Sequence, residues 1–219
     1  ERYVRLLGDM VGCFKVGLEL FIKEGPDILQ MVRDNSSASI FLDLKLHDIP
    51  ATVRAALRSA STHGVRFITV HGGDGESILK TAAEVREAGI QVLAITVLTS
   101  LPESELPRLG YREGLTLNQL VLDRAGMAQK AGCAGVVCSG EEVAAIKKNC
   151  GLDFKAVVPG IRPSWSKVKA DDQSRVVTPE EAIARGADLI VVGRPVRDAK
   201  DPAEAARKIV DEIASALVS

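Results

Sequence analysis

Several absences narrow the class of this chain before any motif is read. It has no excess charge of one sign: 28 Lys and Arg stand against 29 Asp and Glu, for a net charge of −1. A general polyanion binder is usually strongly basic, so nucleic acid is not an expected partner, although a local basic pocket for one phosphate stays compatible. Histidine is scarce, with three residues, and the four cysteines (Cys13, Cys133, Cys138 and Cys150) form no C-x-x-C pair and no zinc-like spacing with the histidines. No metal site is read from them. They are expected as free buried thiols in a reducing, cytoplasmic setting. No apolar run approaches the ~20 residues that span a bilayer, so no membrane partner is expected. There is no Gly-x-Ser-x-Gly nucleophile elbow either.

What is present is an apolar chain, 46% hydrophobic over 219 residues, a length at which an α/β barrel often forms as one domain, here 1–219. Strand patterns recur at 13–18, 40–46, 67–71, 92–98, 135–138, 156–159 and 189–192. Amphipathic helical patterns lie between them at 26–33, 52–63, 75–88, 116–131, 141–149, 179–185 and 202–217, and 1–11 reads as the tail of a helix. Capping-box pairs mark several starts: Thr116 with Gln119, Ser139 with Glu142, Thr178 with Glu181, Asp201 with Glu204. Pro179 and Pro202 suit the first helical position. Strict β–α alternation gives a parallel sheet. The reading yields seven strands, whereas a (β/α)₈ TIM barrel has eight. Because the chain opens inside a helix, the barrel's first strand is expected ahead of Glu1. The competing architecture is an open doubly wound sheet. The barrel is favoured because candidate site residues fall at the ends of many strands rather than at one crevice.

The most informative stretch is 40–50, IFLDLKLHDIP. Read as a strand, it puts Ile40, Leu42, Leu44 and Leu46 on one face and Phe41, Asp43, Lys45 and His47 on the other. Both faces of a parallel sheet are covered, and buried unpaired charge is costly, so these charges need a reason. In a barrel the site lies at the carboxyl ends of the strands. Those ends carry Lys15, Asp43, Lys45, Asp48, His71, Thr99, Arg162 and Arg194. Lys15, Asp43, Lys45 and Asp48 can form an alternating array of two lysines and two aspartates. Such an array can hold a lysine protonated and set a carboxylate beside a substrate anion, which suits loss of an anionic group as a neutral molecule followed by protonation of the carbanion. A structural ion-pair network is the alternative.

The last two strands end in Pro159-Gly160-Ile161-Arg162-Pro163 and Val192-Gly193-Arg194-Pro195. Loops after the final strands of a barrel commonly bind phosphate; glycine admits backbone N–H groups to the anion and arginine grips it with a fork of donors. Residues 162–177 form a long polar loop with the single tryptophan, Trp165, and are read either as a lid over that phosphate or as a surface loop.

The motifs Asp43-x-Lys45-x-x-Asp48-Ile49-Pro50, Phe14-Lys15-Val16-Gly17-x-Glu19-Leu20-Phe21, Val97-Leu98-Thr99-Ser100, Pro159-Gly160-Ile161-Arg162-Pro163, Asp172-Gln173-x-Arg175 and Val192-Gly193-Arg194 together resemble the orotidine 5'-phosphate decarboxylase family, nearly end to end and in order. The resemblance implies a (β/α)₈ barrel and a homodimer with shared active sites. It also implies conversion of orotidine 5'-monophosphate to UMP and CO₂ in pyrimidine biosynthesis, with no cofactor. It implies Lys45 as proton donor to the pyrimidine carbon, Asp43 against the departing carboxylate, and Lys15 near the ribose and the array. Asp48, with Ile49 and Thr52, would reach the partner subunit's site. Thr99 would contact the pyrimidine, and Arg162, Gln173, Gly193 and Arg194 the phosphate. Leu44, Leu46, His47, Pro50 and Ala51 fall within the same substrate-binding segment. The family's ribose-bonding aspartate at the end of its first strand has no counterpart in the sequence, and residues 1–11 resemble the helix that follows that strand.

Two other readings compete. A magnesium-dependent sugar-phosphate lyase or decarboxylase of the same barrel group shares an acid–lysine–acid motif, but Asp172-Gln173 and Thr99-Ser100 argue against it. A non-catalytic nucleotide-phosphate binder would have no need of Lys45.

Overall fold

The computed structural model describes residues 1–73, 75–166 and 175–218. Among them are seven strands: β1 (Cys13–Gly17), β2 (Ser39–Leu46), β3 (Phe67–His71), β4 (Gln91–Ile95), β5 (Gly135–Val137), β6 (Lys155–Val158) and β7 (Leu189–Ile190). The helices are α1 (Arg2–Leu7), α2 (Leu18–Glu24), α3 (Asp27–Asn35), α4 (Pro50–Ser61), α5 (Glu76–Ala83), α6 (Leu117–Lys130), α7 (Val143–Cys150), α8 (Pro179–Ala184), α9 (Arg194–Arg197) and α10 (Pro202–Val218).

The strands form one sheet in the order β1-β2-β3-β4-β5-β6-β7, and every pairing is parallel. A doubly wound sheet reverses its strand order at a switch point. Here the order never reverses, so the sheet curls as a TIM-type barrel with helices outside. The two edges, β1 and β7, lean on one apolar patch. Phe14 from β1 and Ile190 from β7 both pack against the cluster of Leu7, Val196, Ala205, Ala206 and Ile209.

The period-two pattern assigns the faces. Phe41, Phe67, Leu93 and Val157 gather with Cys13, Val137 and Leu189, one residue from each of the seven strands, as a compact inner cluster. Ile40 and Leu42 point the other way, into the main core with Val53 and Leu57 of α4. The inner cluster fills the middle of the barrel and leaves its carboxyl end to polar side chains.

The expected helix starts at Thr116 and Thr178 are full capping boxes, and Asp201 accepts from Glu204 N at 3.0 Å. Most element bounds shift from the sequence reading (α7, expected from 141 with a cap at Ser139, starts at Val143 with Glu142 as its cap residue), and three of the shifts have a visible cause. Residue 18 begins α2 instead of ending β1; Leu18, Phe21 and Ile22 recur at helical spacing, but no residue of this short helix is buried, and Phe21 packs on the main core while Leu18 and Ile22 stay exposed. The fourth strand stops at Ile95, not 98, because the chain turns at Leu98, whose carbonyl accepts from Leu101 N at 3.0 Å. The 75–88 helix divides into α5 and a 3₁₀ turn (Glu84–Ala88) that closes on Gly89 at φ +81.

Candidate active site

Asp43 is the centre of the polar end. Its side chain is 11% exposed, and its Oδ2 lies 3.1 Å from Lys15 Nζ and 2.9 Å from Lys45 Nζ. Oδ1 also receives Lys45 Nζ at 2.9 Å and the Thr69 hydroxyl at 2.9 Å. One carboxylate is thus held by two ammonium groups and a hydroxyl from three neighbouring strands. Register explains the meeting: Gly17 of β1 pairs with Asp43 of β2, and Lys15, two residues back, shares its inward face. A side chain at Gly17 would place its Cβ 3.0 Å from Lys15 Nζ, so the glycine leaves room for that amine.

The β2–β3 ladder is irregular at this point. Leu42 pairs with Ile68 and Leu46 with Val70, so residues 43–45 face Thr69 alone. Such bulges re-aim side chains. Lys45 has φ +51, the only positive φ outside glycine among the described residues. For a residue with a Cβ that conformation is unfavourable, by roughly 1–2 kcal/mol, and it persists only where neighbours enforce it. Thr69 Oγ1 accepts from Lys45 N at 2.9 Å in place of a strand carbonyl.

Burial of Asp43 by itself pushes its carboxyl up, but Lys15 and Lys45 outweigh it and hold the group below its ordinary range. Asp43 is therefore anionic at neutral pH. The cysteines are inert by contrast: burial pushes Cys13 and Cys133 up to about 12 and Cys138 further, so none is a thiolate nucleophile at neutral pH.

Asp48 stands apart from the array. It is exposed, its Oδ1 accepts from Ile49 N at 2.7 Å, and it makes no ion pair with Lys15 or Lys45 of its own chain. Ile49 is 65% exposed and caps α4, whose first turn holds Pro50, Ala51 and Thr52. Leu44 and Leu46 are half-buried against the main core. His47 and His71 bring their rings to 4.9 Å, and no third His, Cys, Asp or Glu gathers with them among the described residues.

The phosphate-end residues follow the last two strands. Gly160, at φ +74, turns the chain after β6, and Arg162 leaves that turn half-buried. Gly193 precedes α9, which Arg194 begins. Residues 161 and 177 form an isolated parallel bridge, and Arg162 N donates to Val177 O at 2.8 Å, so the ends of the long loop are joined. Gln173 and Asp172 lie outside the described residues. Trp165, expected on a lid, docks on α10: its Nε1 donates to Glu212 Oε1 at 2.6 Å, and Lys208 Nζ lies 5.7 Å from its ring centroid. Thr99, half-buried, follows β4 just past the exposed Leu98.

Sequence reasoning gave no role to two contributors. Thr69 reads as an ordinary β-branched strand residue, and only its pairing across 24–26 residues reveals it. Arg175 forms a buried ion pair with Glu142 that ties the end of the long loop to the turn after β5; the same guanidinium donates to Leu98 O at 3.5 Å. Glu142 also accepts from Ser139 N at 2.7 Å, and burial raises its carboxyl despite the pair with Arg175. The spacing of Ser139 and Glu142 pointed to a helix cap, and the arginine was the unseen half.

The family model for "Orotidine 5'-phosphate decarboxylase / HUMPS family" matches residues 1–209. The chain belongs to that family. It is 46% identical to the orotidine 5'-phosphate decarboxylase of Desulfosudis oleivorans, over 98% of this chain and 88% of that protein. It is 45% identical to the one from Syntrophotalea carbinolica, over 99% of this chain and 90% of that protein. Among solved structures, the orotidine 5'-phosphate decarboxylase of Lactobacillus acidophilus superposes with TM-score 0.78 at 37% identity, covering 91% of this chain and 85% of that one. An uncharacterized conserved protein from Geobacillus kaustophilus gives TM-score 0.81 at 34% identity, covering 97% and 93%. The family description joins two groups of proteins, so the family match alone does not select a reaction; the two relatives both carry the decarboxylase name.

Proposed function

We propose that this chain decarboxylates orotidine 5'-monophosphate to UMP and CO₂, with Lys45 as the proton donor. The observation that carries the reading is the Lys45 ammonium, 2.9 Å from both oxygens of an anionic Asp43 and borne on a left-handed backbone. With the substrate carboxylate placed beside Asp43, the repulsion between the two anions is relieved as CO₂ leaves. The electron pair of the broken bond stays on the ring carbon. The ammonium of Lys45 stabilises that developing charge and then gives its proton to the same carbon; solvent later reprotonates the lysine. Lys15, fixed by Asp43, supplies the second positive charge. Arg162, Gly193, Arg194 and Gln173 take the phosphate, Thr99 the pyrimidine, and the segment His47–Thr52 the ribose side.

The same reading includes a homodimer with shared sites. Asp48 and Ile49 are exposed just past the end of β2, and Leu18, Leu20 and Ile22 of α2, the helix that follows the neighbouring strand β1, are exposed as well. An isoleucine 65% exposed beside an acid that makes no ion pair among the described residues supports a partner surface at that edge. No helix among the described residues is long and apolar enough to cross a membrane, and four free cysteines support a reducing compartment, which we take to be the cytoplasm.

The test is turnover of orotidine 5'-monophosphate in excess EDTA, followed by loss of the orotate absorbance and by CO₂ release. Turnover unaffected by the chelator is expected. Activity only on a sugar phosphate with added magnesium would replace this reading with the lyase, and UMP binding without turnover would replace it with a binder.

A further inference from the structure

We infer that Thr69 is a positioning residue for the proton-transfer step: its hydroxyl locks the carboxylate of Asp43 to the backbone of Lys45 and thereby fixes where the lysine's ammonium is delivered. The inference rests on the reading of Asp43 and Lys45 given above. Thr69 is fully buried in β3. Its hydroxyl has one proton and two lone pairs. An ionised Asp43 can only accept, and the amide of Lys45 can only donate. With Asp43 Oδ1 at 2.9 Å and Lys45 N at 2.9 Å, the hydroxyl has one arrangement: it donates to the carboxylate and accepts from the amide.

That arrangement answers two local needs. Three residues of β2 face one of β3, so the ladder has no carbonyl in register for Lys45 N–H. The hydroxyl stands in for it. The positive φ of Lys45 also needs a restraint, because a lysine relaxes toward negative φ when released. Relaxation would swing the side chain off the line set by Asp43. Threonine suits the task better than serine, since its branched Cβ restricts χ1 and its methyl fills the buried site. One side chain therefore fixes the acid and the backbone of the base against each other.

The test compares wild type with Thr69→Val, Thr69→Ser and Lys45→Ala, each checked for a folded protein by circular dichroism. kcat and KM for orotidine 5'-monophosphate and Kd for UMP are measured for each. Removing a hydrogen bond to a charged group should lower kcat of Thr69→Val by about tenfold to hundredfold. UMP affinity should stay within about threefold, because the product is held largely at its phosphate. Thr69→Ser should recover most of kcat. A Thr69→Val enzyme with wild-type kcat would overturn the inference while leaving the lysine's role intact if Lys45→Ala is inactive. Parallel loss of kcat and UMP affinity would reduce Thr69 to a general structural residue and overturn it too. Full turnover by Lys45→Ala would instead overturn the reading beneath it. Should Thr69→Val fail to fold, Thr69→Ser against Thr69→Ala decides: equal kcat in the two would show that the hydroxyl does nothing.

Discussion

Replacing Asp43 with asparagine separates a working charge array from a structural ion-pair network. Asparagine keeps the shape and still accepts from Thr69, but it holds neither ammonium by charge. Lys15 and Lys45 lie 3.1 and 2.9 Å from Oδ2, and their side chains are 35% and 32% exposed. That exposure screens them, so an effective dielectric of ~40 is appropriate, which gives about 3 kcal/mol per pair and about 5–6 kcal/mol for both. Little of this should appear in stability. Both lysines can turn toward water when released, and the buried carboxylate's own desolvation is removed with it, so the expected loss is under about 2 kcal/mol. In the reaction the array has no such escape, because the ammonium must stay beside the reacting carbon. A few kcal/mol lost there lowers kcat/KM on the order of 10²–10⁴-fold, at 1.36 kcal/mol per factor of ten. The assay is initial-rate loss of orotate absorbance at saturating and limiting substrate, with a thermal melt of the same sample. An Asp43→Asn enzyme within tenfold of wild type would refute the reasoning. So would an activity loss that matched the fraction of unfolded protein, since that is what a structural network predicts.

Three further outcomes are expected. Lys15→Met removes one of the two charges that hold the Asp43 carboxyl low while burial still pushes it up. In wild type, Asp43's contribution to stability is fully present above the unfolded carboxylate value of about 3.9 and is lost as pH falls through its lower folded value; in the variant the acid limb of kcat/KM and the onset of acid unfolding should both move to higher pH, and an unmoved limb would contradict the coupling. Arg194→Ala should weaken UMP binding by roughly 10²-fold and uridine binding hardly at all, measured by calorimetric titration; equal losses would misplace the phosphate. Lys147→Met should destabilise by about 3–5 kcal/mol in denaturant melts without changing kcat, because the buried Lys147 Nζ bonds Leu152 O, Phe154 O and Asp188 Oδ2 at the amino ends of β6 and β7, away from the site.

The charges of the site were legible in the sequence because they violate an expectation. Asp43 and Lys45 sit on a face that a parallel sheet normally buries in apolar residues, and Arg162 and Arg194 sit where the last strands of a barrel end. Neutral residues violate nothing. Thr69 lies in Phe-Ile-Thr-Val-His, where a β-branched residue is ordinary, and its two bonds reach residues 24 and 26 positions away. The bulge at 43–45 was hidden for the same reason. Alternation along 40–46 looks unbroken, and no residue there favours positive φ, so nothing local announces that β2 carries three residues against one of β3. The strain at Lys45 comes from the pairing of two strands, not from the strand that bears it. The same logic covers Arg175, which is unremarkable beside Gln173 until the turn after β5 brings Glu142 to it. A single sequence therefore identifies the charged groups of a barrel site but not the neutral side chains and backbone distortions that aim them. Those are products of register between strands, and Thr69 is where register and chemistry meet.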